Sequence, residues 1–197
     1  MRWNASGIAF SRPIRWLLAL HGESWLPFSY AGVVSGNCTR GLRFLNNGSL
    51  EVCSSDDYFQ VLHEQGIILD PIQRQERITR DLQTLAERVD GEVNPDPDLL
   101  QEVTHLVEAP TALLGDFDPD YLQLPREVLI SVMKKHQRYF PVEKNGKLLP
   151  HFITIANKPS EEGQHPEMPQ VTQGNADVIL ARFADAEYFV RADRKKK

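Results

Sequence analysis

Residues 139–155 read Tyr-Phe-Pro-Val-Glu-Lys-Asn-Gly-Lys-Leu-Leu-Pro-His-Phe-Ile-Thr-Ile. Two apolar, extended stretches, Tyr139–Glu143 and Leu148–Ile155, flank Lys144-Asn145-Gly146-Lys147. The Asn-Gly pair accepts the positive φ angles of a tight two-residue turn, so the segment predicts a β-hairpin. Immediately before it, Pro125–His136 carries Leu129, Val132 and Met133 at helical spacing and predicts a helix with those residues inward. After it comes a polar loop, Lys158–Gln170, with three prolines and the character of a mobile connection. Ile179, Phe183, Ala186 and Val190 then recur at four, three and four, which predicts a last helix from about Asn175.

Further upstream, Asp70-Pro71 has the cap-and-first-turn chemistry of a helix start. Ile78, Leu82, Leu85 and Val89 follow on one face, predicting about 20 helical residues closed by Gly91. Asn94-Pro95-Asp96-Pro97 is a linker and a second helix start. Leu99, Val103, Leu106 and Val107 form its apolar face, and Pro110 lies beyond its end. Ser54 or Ser55 caps a shorter helix to about Glu64, with Gly66 as the stop.

The first 53 residues read as strands. Ile14–Leu20 has the look of a buried strand, and His21-Gly22-Glu23-Ser24 breaks it. Trp25–Tyr30 resumes in extended form, which makes a hairpin. Arg40–Leu45 and Leu50–Cys53 are strand candidates around a turn at Asn46-Asn47-Gly48. Strands and helices mix without βα alternation or internal repeat, so the class is α+β, with short antiparallel strands and several amphipathic helices. The chain divides into a strand-rich part (1–53), a helical part (54–110) and a mixed part (111–197).

Composition narrows the function. With 41% hydrophobic residues among 197, the chain buries a true core. A net charge of −5 excludes a globally basic nucleic-acid binder, so any RNA contact must come from a local patch. Cys38 and Cys53 are too few for a structural zinc site and read as free intracellular thiols. Asn4-Ala5-Ser6, Asn37-Cys38-Thr39 and Asn47-Gly48-Ser49 match the glycosylation triplet, which has meaning only in a secreted chain. The apolar run Trp16–Leu20 is shorter than a signal-peptide core and far shorter than a membrane span. These features point to a soluble intracellular protein. Met1-Arg2-Trp3 begins without a lead-in and Lys195-Lys196-Lys197 follows an apolar-periodic stretch, so the sequence reads as a piece of a longer one.

Catalytic motifs are absent from the sequence. It contains no phosphate-binding Gly-x4-Gly-Lys loop, no dinucleotide fingerprint and no Gly-x-Ser-x-Gly elbow. His63-Glu64 lacks the second histidine of a zinc protease helix. Asp56-Asp57 reads as first-turn charge favouring a helix dipole, and Glu161-Glu162 as a solvated loop. Asp116, Asp118 and Asp120 alternate as in a calcium loop, but Tyr121 stands where the loop glycine must be. A turn with an aspartate cap explains them better.

Two cation groupings remain. One is Arg12 and Arg15 beside Trp16, with Arg40 and Arg43 around Gly41. The other is Lys134, Lys135, His136 and Arg138, interleaved with Tyr139 and Phe140. Arginine presents a planar fork to phosphate, and aromatic rings stack on unpaired bases. The alternative is that Lys134 and Lys135 complement a helix C-terminus, that Tyr139 and Phe140 face the core, and that Arg15 pairs with a carboxylate.

Several blocks carry a resemblance. They are Met1-Arg2-Trp3, Phe10-Ser-Arg-Pro-Ile-Arg-Trp16, Ser35-Gly-Asn-Cys-Thr-Arg-Gly41 with Arg43-Phe44, and Glu102-Val-Thr-His-Leu-Val-Glu-Ala-Pro110. Then come Leu124-Pro125 with Glu127-Val-Leu-Ile130, Met133 with His136-Gln-Arg-Tyr-Phe140, Gly174-Asn175, and Ala181-Arg-Phe-Ala-Asp-Ala-Glu-Tyr-Phe189. In order and spacing they resemble the beta subunit of the tetrameric, bacterial-type glycyl-tRNA synthetase. Two positions depart from it. Leu42 stands where members often have His, and Ala176-Asp177 where many have Glu-Arg.

The resemblance implies a part of glycine–tRNA ligase, which attaches glycine to its tRNA with ATP and magnesium. It places that cofactor use and catalysis in the alpha subunit and none in this chain. It implies a tRNA-binding or positioning role, for which the two cation groupings supply the candidates Arg12, Arg15, Arg40, Arg43, Lys134, Lys135 and Arg138, with no catalytic or metal-binding residue here. The implied partners are the alpha subunit, tRNA(Gly) and the remainder of the beta subunit, with neither membrane nor DNA. That remainder comprises an N-terminal segment, a downstream helical domain and an anticodon-binding domain. The implied compartment is the bacterial cytoplasm, or the chloroplast stroma for a plant or algal source. The implied fold is similar to the editing domain of the phenylalanyl enzyme's beta subunit. Two rival functions stand beside this one: a subunit-interface module that never touches RNA, and a hydrolase that deacylates mischarged tRNA around His105 or His136.

Overall fold

In the computed structural model, residues 2, 4–10, 12–45, 48–161, 163–166 and 168–194 are described, with the side chains of Phe44 and Arg194 left aside. The expected turn at Asn46-Asn47, and the terminal residues Met1, Trp3 and Lys195–Lys197, lie outside them. The chain forms two compact units, Met1–Leu69 and Asp70–Lys197.

The first unit is built of very short strands. β1 (Leu17–Leu18), β2 (Leu20–His21), β3 (Ser24–Trp25), β4 (Ser29–Tyr30), β5 (Val33–Gly36), β6 (Cys38–Thr39) and β7 (Leu50–Glu51) follow one another. The expected hairpin forms as β2 and β3, with Leu20 opposite Trp25 and Gly22 at φ +60° in its turn. Ile14–Leu20 is not one buried strand. It gives two two-residue strands, half-buried at Leu17, Leu18 and Leu20 and exposed at His21, and β1 pairs with β5 in parallel. Ser35 explains why: its buried hydroxyl donates to the Leu26 carbonyl at 2.7 Å and accepts from the Phe28 N–H at 2.9 Å, pinning the hairpin connection. Arg40–Leu45 is likewise not a strand. Leu42 turns inward, Arg43–Leu45 is a single 3₁₀ turn, and β7 pairs instead with β6. Helix α1 (Asp57–Glu64) closes the unit. The Ser54 hydroxyl accepts from the Asp57 N–H at 3.2 Å, and Gly66 at φ +69° ends the run. Cys38 and Cys53 are both free thiols.

The second unit begins with α2 (Pro71–Glu87), capped by the Asp70 carboxylate on the Ile72 N–H at 2.8 Å. Its buried stripe is Ile78, Leu82, Leu85 and Ala86. The Gly91 N–H returns to the Ala86 carbonyl, and a Cβ on Gly91 would sit 2.5 Å from Val142 Cγ1. Only glycine lets the chain pass there. Helix α3 (Pro97–Leu106) starts with Asp96 accepting from the Leu99 N–H. Leu99 and Val103 are buried, but Leu106 is 54% exposed and does not belong to the inner face.

β8 (Pro110–Asp116) was not anticipated. It pairs antiparallel with β10 (Lys147–Asn157), which pairs antiparallel with β9 (Phe140–Lys144), giving the sheet order β8-β10-β9. The Asn145-Gly146 turn between β9 and β10 has φ of +51° and +75°, as its sequence demands. Helix α4 (Arg126–Ser131) runs on into a π-helical turn, Val132–Gln137, that ends at Arg138 with φ +58°. The last helix, α5 (Pro169–Arg194), starts six residues before the expected Asn175, with Met168 accepting from the Thr172 N–H.

Alternate residues of the sheet serve two cores. Phe140, Val142 and Ile153 pack with the stripes of α2 and α3. Tyr139 and Phe152 pack with Leu129, Met133, Ile179 and Phe183 from α4, its π-turn and α5. Each fully buried aromatic or aliphatic side chain contributes about 1.5–3 kcal/mol of transfer free energy. Outside the β9 edge, Glu92 and Glu143 exchange two backbone hydrogen bonds of 2.7 and 2.8 Å. The stretch after β10 is not loose at its start. Arg77 on α2 donates to the Ser160 carbonyl, the Ser160 hydroxyl and the Glu161 carbonyl, while Thr111 on β8 donates to Ser160 Oγ at 2.8 Å. Among the described residues, no helix is long and apolar enough to cross a membrane.

Candidate nucleic-acid interface

The first cation grouping lies wholly in the first unit. Arg12, Arg15, Arg40 and Arg43 are all exposed. The Arg40 guanidinium sits 5.5 Å from the centroid of the Trp16 ring, which is itself 43% exposed. A cation over an indole face is held by the ring quadrupole without losing its charge to an acid. This contact joins two stretches that the sequence keeps 24 positions apart (40 − 16 = 24). Parallel pairing of β1 with β5 carries Trp16 alongside the strand that leads to β6 and Arg40. Among the described residues, no acid pairs with Arg12, Arg15 or Arg43.

The second grouping, in the other unit, is differently placed. Lys134 donates to Asp96 at 2.7 Å, and Arg138 to Glu102 at 2.8 Å. The Lys134 hydrogen bond holds the Asp96 carboxyl below its ordinary range, with burial opposing. Lys135 and His136 are exposed. Tyr139 and Phe140 face the interior. The Tyr139 ring stacks on Phe152 at 4.9 Å and 11°, its hydroxyl donates to Asn175 at 2.9 Å, and burial pushes its pKa up. Neither ring is presented to a base. Arg126, which the spacing did not single out, binds the buried Glu143 carboxylate together with the Asn94 amide.

The remaining motifs resolve simply. Asp118 caps the 3₁₀ turn Pro119–Gln123 through the Asp120 N–H, and Asp116 contacts His151. Asp57 occupies the first turn of α1, and His63 and Glu64 are exposed near its end. His105 and His136 are exposed. Glu161 is exposed, and Glu162 lies outside the described residues.

The profile of the glycyl-tRNA synthetase beta-subunit family matches residues 1–197. The chain belongs to that family. Its relatives include the glycine–tRNA ligase beta subunit of Clostridioides difficile, 47% identical over 196 residues, covering 100% of this chain and 28% of the relative. The beta subunit from Moorella thermoacetica is also 47% identical, and that from Bacillus subtilis 44%, each over 99% of this chain and 28% of the relative. The chain thus spans just over a quarter of the length of the curated relatives it matches.

The two departures from the family resemblance have local explanations. Leu42 is 4% exposed in the first unit's core. Ala176 packs against the second core, and Asp177 accepts from Gln173 at 2.9 Å on the surface of α5.

Proposed function

We propose that this chain is the part of glycine–tRNA ligase that grips tRNA and supports subunit assembly, while glycine activation with ATP takes place on the alpha subunit, in the bacterial cytoplasm. The observation that carries this reading is the Arg40–Trp16 stack. It brings Arg40 beside Trp16, the neighbour of Arg15 in sequence, and Arg12, Arg15, Arg40 and Arg43 are all exposed in a chain whose overall charge is −5. Local cations of this kind bind phosphate by releasing counterions and need no catalytic group beside them. Lys135 is the available cation of the second grouping. Lys134 and Arg138 contribute only by leaving Asp96 and Glu102, so their share of binding is smaller.

The test uses the complete glycine–tRNA ligase with Arg12, Arg15 and Arg43 all replaced by Ala, and tRNA affinity measured across a salt series. Each lost phosphate contact lowers the slope of log K against log salt by about 0.7–0.9. The expected change is about two units for the triple variant. An assembly that keeps its subunits together yet shows the parental slope overturns the proposal in favour of a purely structural module. Release of amino acid from mischarged tRNA by the chain itself would favour the hydrolase.

A further inference from the structure

The first unit presents aromatic rings on its surface. Trp25, Phe28 and Tyr30 are 49%, 48% and 49% exposed. Among the described residues, none of the three meets another ring. Buried Ser35 on β5 organises them. Its hydroxyl accepts from the Trp25 indole N–H at 3.3 Å and from the Phe28 N–H at 2.9 Å, and its own N–H donates to the Phe28 carbonyl at 2.9 Å. Ser29 pairs with Val34 and Tyr30 with Val33, which sets Phe28 opposite Ser35. Phe28 and Tyr30, two apart on one extended edge, therefore share a face with Ser35. At the far end the Asn4 amide donates to the Ala31 carbonyl and holds the Ala31-Gly32 turn, whose φ angles are +54° and +77°.

The stretch that builds this sheet is rich in arginine. Over residues 1–45, Arg2, Arg12, Arg15, Arg40 and Arg43 stand against Glu23 as the one acid, in a chain whose net charge is −5. These arginines are exposed, and no ion pair among the described residues neutralises them. The strand order is β1-β5-β4. Trp16, with the Arg40 guanidinium on its ring, directly precedes β1, while Tyr30 lies on β4. Two interstrand spacings separate those edges, about 10 Å. Burying unpaired guanidinium groups at an apolar protein contact would leave their charge uncompensated, which is costly. A polynucleotide supplies phosphates for the arginines and, where its bases are unpaired, flat faces for the rings. Bases inside a duplex stack on one another and offer these rings nothing.

We infer that Trp25, Phe28 and Tyr30 stack on unpaired nucleotides of the RNA whose phosphates the arginines hold. The ligand of this face is a single-stranded loop or end, not a helical stem. The inference rests on the tRNA-gripping role proposed above and adds which part of the RNA is gripped.

The test uses the complete glycine–tRNA ligase carrying Phe28→Leu and Tyr30→Leu, which keep apolar volume and remove both ring planes. Binding to tRNA(Gly) and to a blunt RNA duplex without unpaired nucleotides is measured across a salt series. Stacking on an aromatic ring is worth about 5- to 150-fold in affinity per base, so tRNA should bind at least about fivefold more weakly. The salt slope should stay parental, because no phosphate contact is lost. Affinity for the duplex should not change, and Phe28→Tyr with Tyr30→Phe, ring for ring, should bind tRNA like the parent. Ultraviolet crosslinking of the parental complex, which needs no variant, should place adducts on residues 25–30. Parental tRNA affinity in the leucine variant overturns the inference, as does equal weakening of the duplex or the lack of adducts on residues 25–30. Subunits that separate in the leucine variant but not in the ring-for-ring variant show the face covered by protein and overturn it too. The arginine triple variant tests the gripping role by itself. Its lowered slope beside a leucine variant of parental affinity strikes only the stacking, whereas its parental slope strikes the role.

Discussion

Replacing Arg77 with Met keeps an apolar stem on α2 and removes the guanidinium that faces Asp81. The pair is buried, with side-chain exposures of 10% and 7%, and the separation is 3.2 Å. Removing one partner strands the other charge in a poorly hydrated site, which costs about 3–5 kcal/mol. The same substitution deletes three hydrogen bonds to Ser160 and Glu161, so the loop after β10 loses its anchor on α2. If stranded charge dominates, the double variant Arg77→Met/Asp81→Leu recovers most of the loss. What remains is the loop anchoring, worth about 1–3 kcal/mol. Urea unfolding at constant m reads both numbers, and amide exchange at residues 158–161 reads the loop. A single variant that costs under about 1 kcal/mol, or a double variant as unstable as the single, refutes the reasoning.

Gly115→Ala places a Cβ 2.4 Å from Phe152 Cζ, on a ring that is fully buried and stacked by Tyr139. The ring has nowhere to go, so a loss of about 1–3 kcal/mol is expected in thermal or urea unfolding. The Asp96–Lys134 pair sets an acid dependence. Because the folded carboxyl titrates below its ordinary 3.8, its stabilising share is complete above that value and is lost as pH falls through the folded pKa. The stability gap between the parent and Lys134→Met should therefore be constant near neutrality and close below pH 3.8. A gap unchanged at the acid end contradicts the assignment.

The helices were legible because their signals are local. Asp70-Pro71 and Asp96-Pro97 cap as read, and the stripe Ile78, Leu82, Leu85 points inward. β8 was hidden for a physical reason. Thr111, Ala112 and Leu113 are buried on successive positions, so the strand lacks the alternation that betrays a half-exposed one. A leading proline and an internal Gly115 further weaken its strand signal. In the interface, the cations themselves could be named, but not their state. Lys134 and Arg138 meet Asp96 and Glu102 across 38 and 36 residues, and Arg40 meets Trp16 only through strand pairing. The Arg77–Asp81 pair did leave a trace, two charges four apart beside an apolar stripe.

The reciprocal bonds between Glu92 and Glu143 have a consequence for solubility. A three-stranded sheet has two rims, and an open rim recruits other extended chains. Here the segment between α2 and α3 occupies the rim beside β9, and Glu92 and exposed Lys144 put charge along it. The bridge leaves the Glu143 backbone N–H and C=O with no bond to offer another extended chain.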